Sequence, residues 1–268
     1  MWALDQPYAP RADHLLADTP LALLAALAVG AGTAAVLVEL AVLPPHVSRV
    51  AGVTAAHGAL LATALAWARV SAASPVIAVA LIGLAAAVSQ LGVLGSLAYL
   101  GPALWVGFLS ARGRLTSLGL GTPVSLGRVA AGVLVGTGLS GHLLVSASRT
   151  LGVHIRVDHA AEALAAIAYD VGANVLAGEC FFRGALFNRA ERRWSFAAAS
   201  TVATSAYLLR YLVDPLLPKS VELMIGAVFY LALLGAMNCW LLSSSGSLVP
   251  GLVSASIFFA AYRTLGVR

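Results

Sequence analysis

"AEALAAIAYDVGANVLAGECFFRGALF", residues 161–187, is a long apolar run that nevertheless carries Asp170, Asn174, Glu179 and Arg183. The stretch from 163 to 187 is long enough to cross a bilayer as a helix. A charged side chain near the middle of such a helix costs about 2.5 to 3.5 kcal/mol on insertion scales, so these charges must be paired or face a wet cavity. On a regular helix, at about 100° per residue, Asp170 and Asn174 lie about 40° apart on one face. Glu179 and Arg183 lie about 40° apart on the roughly opposite face. A helix polar on two sides belongs inside a bundle. Glu179 with Arg183 reads as an i,i+4 ion pair that braces the helix or as a working pair of groups. Asp170 with Asn174 reads as an interhelical hydrogen-bond clasp or as an ion or proton site.

The rest of the chain fits this setting. Of its 268 residues 60% are hydrophobic and only 10% are charged, with a mean hydropathy of +0.91, where soluble domains carry about 25% charge. The fold class expected is all-α: a polytopic integral membrane helical bundle with eight or nine transmembrane helices. The apolar runs have the length of spanning helices and lack the punctuated alternation of a membrane barrel. Candidate spans are 20–43, 51–70, 75–91, 93–110, 129–146, 163–187, 195–213, 222–242 and 248–265. The stretch from Pro75 to Ser110 would be about 54 Å long as one helix, nearly twice the hydrocarbon thickness, so a tight hairpin around Gln90 to Gly95 is expected.

Residues 1–19 form an N-terminal segment outside the membrane, with Asp5, Asp13 and Asp18 against Arg11. The run after Pro20 is too long for a signal-peptide core and reads as a first span. Residues 20–110 supply the N-terminal helices, 111–128 ("ARGRLTSLGLGTPVSLGR") a basic interfacial connector, and 129–268 a C-terminal core. Arg112, Arg114 and Arg128 mark one loop as cytoplasmic, and Arg189, Arg192 and Arg193 mark another. Fifteen of the sixteen basic residues are arginine, Lys219 being the exception. The net charge of +5 is spread over loops rather than gathered into a nucleic-acid-like patch. Cys180 and Cys239 stand far apart and read as buried thiols, so no metal and no cofactor is expected. Glu39 and His57 snorkel or meet a neighbouring helix. Arg210 reads as a snorkelling arginine paired with Asp214, and Asn238, Ser254 and Ser256 as small polar groups that knit helices together.

The stretch "GECFFRGALFNRAERRWSFAAA" (178–199) resembles the first motif of the CPBP family of intramembrane proteases, also called the Abi or CAAX prenyl protease 2 family. That motif runs Glu-Glu-x-x-Phe-Arg-Gly, followed by a leucine-rich turn, a basic loop and an alanine-initiated helix. "LLGAMNCWLLSSSGSLVPGLVSAS" (233–256) is similar to the family's last region, and "LTSLGLGTP" (115–123) to its lead-in. The resemblance covers roughly residues 115–262. It implies a carboxylate acting as general base on a water, helped by two histidines and an asparagine on neighbouring helices. The first motif glutamate is replaced by Gly178 and the second is kept as Glu179, with Arg183 after it. The first histidine position falls on Arg210 or Tyr211 in "TSAYLLRYL". The final His-x-x-x-Asn falls near Ala255 and Phe259. All six histidines (His14, His46, His57, His142, His154 and His159) precede Asp170.

The resemblance therefore implies a degenerate member, a protease-like bundle whose cavity, lined by Asp170, Asn174, Arg210, Tyr211 and Asn238, binds a membrane-embedded or lipidated partner. Two alternatives remain open. One is a divergent, metal-independent glutamic endopeptidase in which a π-bulge swings Glu179 toward the cavity and His142, His154 or His159 approaches. The other is a small transporter or ion pathway around Asp170 and Asn174. Partners are membrane lipid and a lipidated or transmembrane protein, with no nucleic acid. The Ala- and Arg-rich, Lys-poor composition points to a prokaryotic plasma membrane.

Overall fold

The structure, a computed structural model, describes residues 16–150, 154–155, 160–212 and 221–266. In chain order the helices are α1 (Leu21–Glu39), α2 (Pro45–Trp67), α3 (Ala73–Val88), α4 (Leu100–Ala111), α5 (Leu126–Thr150), α6 (Ala160–Tyr169), α7 (Val175–Gly178), α8 (Asn188–Glu191), α9 (Phe196–Leu212), α10 (Val221–Ser245) and α11 (Val249–Tyr262). Two-residue strands β1 (His154–Ile155) and β2 (Leu265–Gly266) pair antiparallel. Among the described residues, seven helical runs are long and apolar enough to cross a membrane. The protein is a multi-pass helical membrane protein. Each of the nine expected spans coincides with a helix. Two fall outside the seven: α9, described over 17 residues, and α11, of 14 residues. At 1.5 Å per residue α11 reaches only about 21 Å.

Two compact units are built from these helices. The first contains the described residues of Arg11–Leu115 and Asp158–Phe181. Here α2 packs on α1, α3 and α7, and α4 lies against the Asp170–Asn174 segment. The expected turn after α3 is a 3-10 run, Ser89–Leu91, then Gly92 at φ +128°, then a second 3-10 run, Val93–Tyr99. Only glycine adopts that φ at low cost, which fixes the position of the reversal. Ala85, Ala86, Tyr99 and Ala173 form a tight apolar cluster beside it. At the end of α2 the Arg69 guanidinium pairs with Asp18 at 2.8 Å, an exposed contact of small energetic weight.

The second unit contains the described residues of Thr116–Val157 and Phe182–Arg268. Its main contact is α5 against α11, with α10 packed on α5, α9 and α11. Gly132 and Gly136 let α5 approach the α11 backbone; a Cβ at Gly136 would stand 2.8 Å from the Ser254 carbonyl. Small residues at such crossings let helices gain van der Waals contact where lipid supplies no hydrophobic drive between them. The connector is more than an exposed link: Leu118 and Leu120 are buried, the Leu248 amide donates to the Gly119 carbonyl at 2.8 Å, and the Thr122 hydroxyl to the Gly246 carbonyl at 3.2 Å.

Candidate functional site

The decisive helix departs from the regular geometry assumed from sequence. Asp170–Asn174 and Glu179–Phe187 are π-helical. A π turn closes by i→i+5 hydrogen bonds and holds more residues than an α turn. The 100° ruler therefore does not apply within Asp170–Asn174 or Glu179–Phe187. Each wide segment contains a glycine approached by a neighbouring carbonyl. A Cβ on Gly172 would run into the Tyr99 carbonyl, and one on Gly184 would lie 3.1 Å from the Leu118 carbonyl.

In the first unit the Asn174 amide donates to Asp170 Oδ1 at 3.1 Å, and both side chains are buried. This bond joins two residues of the same segment. His57 on α2, also buried, shares a hydrogen bond of 2.7 Å with the Tyr169 hydroxyl on α6. It meets a neighbouring helix, as expected. Tyr169 in turn stands edge-on to Tyr99 at 5.1 Å. Glu179 is 1% exposed and begins the second π segment; Phe181, two residues on, packs against Trp67 of α2 at 5.6 Å. Cys180 is a buried thiol, as is Cys239 in the other unit. Glu39, the last residue of α1, is exposed.

In the second unit Arg183 is fully buried, with its guanidinium carbon 4.0 Å from the centre of the Tyr207 ring. Gly235 on α10 makes room for it, since a Cβ there would meet Arg183 Nη2 and Thr204 Cγ2 at 2.8 Å. Asn188 donates to the Ser117 carbonyl at 2.6 Å, tying the first motif to the lead-in. The Ser243 hydroxyl donates to Glu191 at 2.8 Å, tying the same motif to α10. The parts of the three stretches that lie in this unit, 116–123, 182–199 and 233–256, thus come together.

The positions to which the resemblance assigns imidazole and amide groups hold Arg210 or Tyr211, Ala255 and Phe259. Tyr211 and Phe259 stack at 5.8 Å with planes 17° apart, both buried, and Ala255 is buried one turn before Phe259. Arg210 is half-buried with its guanidinium 4.6 Å from the Tyr211 ring centre; Asp214, its expected partner, lies outside the described residues. Rings run on from Phe182 through Tyr207, Tyr211, Phe259, Phe258 and Tyr230 to His142. His142 is exposed and bonds the Tyr230 hydroxyl at 2.7 Å. His14 and His159 lie outside the described residues. Asn238 is buried on α10 and donates to the Gly251 carbonyl of α11 at 3.2 Å, knitting helices as expected. Tyr207 and Tyr169 were missed from sequence. A tyrosine four residues before Tyr211 and another adjoining Asp170 were the available signals. Among the described residues, no group of three or more His, Cys, Asp or Glu is placed to hold a metal ion.

Residues 160–260, which carry the first motif and the ring stack, match the family model of type II CAAX prenyl endopeptidase, Rce1-like. Neither a curated protein nor a solved structure matches the chain.

Proposed function

We propose, from the match of residues 160–260 to the Rce1-like CAAX prenyl endopeptidase family model, that the protein is a degenerate relative of that family that binds a lipidated or membrane-embedded partner without cutting it. The observation that carries this reading is the Tyr211–Phe259 stack. Hydrolysis of an amide needs a base for water and donors for the developing oxyanion. Phe259 offers neither, and the Tyr211 ring is committed to that stack, to Tyr207 and to Arg210. Gly178 in place of the first motif glutamate removes the base, and the chain has no histidine after His159. Arg183 and Asn188, held by ring and carbonyl, act as scaffold. The arginine-rich, lysine-poor composition supports a prokaryotic plasma membrane.

One observation favours a second reading. Glu179 begins a π-helical segment, the distortion by which a surviving carboxylate could be turned toward a cavity. The test is common to both: purified protein in nanodiscs is given fluorescent prenylated and membrane-anchored peptides, and binding and cleavage are scored together. The expected result is saturable binding with intact peptide. Cleavage that Glu179→Gln abolishes would establish the endopeptidase and end the degenerate reading.

A further inference from the structure

Hydroxyls on apolar helices ordinarily satisfy themselves by bonding back to the carbonyl of the preceding turn. This chain does so repeatedly: Thr54 to Val50, Thr63 to Ala59, Thr137 to Val133, Ser140 to Gly136 and Ser245 to Leu241, at 2.6 to 2.8 Å. Thr204 on α9 and Ser254 on α11 do not. Their hydroxyls are buried, with residue exposures of 8% and 0%, and have no hydrogen-bond partner among the described residues. Asn238 Oδ1 on α10, in a side chain 0% exposed, has none either. The orientation of that amide is fixed, because its nitrogen must be the atom facing the Gly251 carbonyl.

These three groups stand on helices of the second unit that pack together, α9 and α11 both lying against α10. Thr204 Oγ1 would stand 3.0 Å from a Cβ on Gly235, so it is directed at α10. Asn238 is the next polar position along α10, one turn beyond Gly235, and it reaches Gly251 of α11. Ser254 is one turn beyond Gly251 on α11. Leaving a buried polar atom unsatisfied costs about 1 to 3 kcal/mol, which a bound water would offset at each of the three.

We propose that Thr204, Asn238 and Ser254 form an internal water-binding seam across α9, α10 and α11. The donor and acceptor chemistry matches water: Asn238 Oδ1 accepts, while the two hydroxyls donate or accept. Buried water bridging two to four polar groups is the usual way such atoms are satisfied. The seam does not depend on hydrolysis.

Removing a hydroxyl has opposite consequences in a wet and a dry seam. Thr204→Val and Ser254→Ala, melted in detergent, are each expected to lower the melting temperature by about 2 to 4 °C. Thr204→Ser, which keeps the hydroxyl while giving up a methyl, should lose less than Thr204→Val. Unchanged or raised melting temperatures for both Thr204→Val and Ser254→Ala would overturn the proposal, because orphaned hydroxyls in a dry core are better replaced by carbon. An experimental map that resolves ordered water should show density within hydrogen-bond distance of Asn238 Oδ1. Water resolved elsewhere in the protein but not there would equally overturn it.

Discussion

In the unit that contains α1 to α4, buried polar side chains meet other side chains: His57 meets Tyr169, and Asn174 meets Asp170. In the unit that contains α5 and α9 to α11, Ser243 also meets a side chain, Glu191, but three larger buried groups meet a ring or main chain: Arg183 lies on Tyr207, Asn188 on the Ser117 carbonyl and Asn238 on the Gly251 carbonyl. The difference has a mutational consequence. A side-chain pair can be removed as a pair, and replacing both members by apolar groups can be nearly neutral. A main-chain acceptor cannot be removed, so losing the side chain that serves it leaves a lasting debt. The His57–Tyr169 and Asp170–Asn174 pairs of the first unit should therefore show rescue by double substitution, and Asn188 and Asn238 of the second should not.

The largest effect is expected at Arg183. A desolvated cation over a ring is worth about 2 kcal/mol, and truncating a side chain with 0% exposure leaves a void as well. Arg183→Gln should lose more stability in detergent melts than any single substitution at His57, Tyr169, Asp170 or Asn174. Tyr207→Phe, which keeps the ring face, should lose less than Tyr207→Leu. A stable Arg183→Gln protein would remove the brace from the second unit and, with it, the contrast between the two.

A smaller loss is expected at the Asp170 clasp. Asn174→Leu takes one donor from a buried carboxylate, at a cost of about 1 to 3 kcal/mol. The Asp170→Leu, Asn174→Leu double variant should be more stable than the sum of its single losses predicts. Additive losses would mean that the two residues do not act on each other. If Asp170→Asn changed ion flux in vesicles while leaving abundance untouched, the clasp would instead be a transport site.

The sequence made the membrane bundle legible, because apolar length and scarce charge are properties that no packing detail can reverse. The first motif, with the helix that carries it, was legible for the same reason: Glu179 and Arg183 are too costly in lipid to be accidental. What escaped was the helix geometry. Two π segments interrupt the regular helix, and their glycines Gly172 and Gly184 meet carbonyls of Tyr99 and Leu118 that are distant in the chain. Periodicity cannot report such contacts. The ring stack was half legible. Tyr211 and Phe259 could be placed at motif positions, but their stacking on each other depends on how α9 and α11 sit within their unit.

The smallest effect, and the finest test of the contrast between the units, is at Tyr169. Tyr169→Phe deletes only the hydroxyl that bonds His57, and the edge-on contact with Tyr99 survives because it uses the ring. A single neutral hydrogen bond contributes about 1 kcal/mol net, so a melting shift of about 2 to 4 °C is expected. His57→Phe should cost about the same, and the double variant scarcely more than either alone, since each single change already breaks the one bond they share. If His57→Phe alone cost several times more, His57 would be held chiefly by groups other than Tyr169. The first unit would then resemble the second, with its buried polar groups anchored by more than one another.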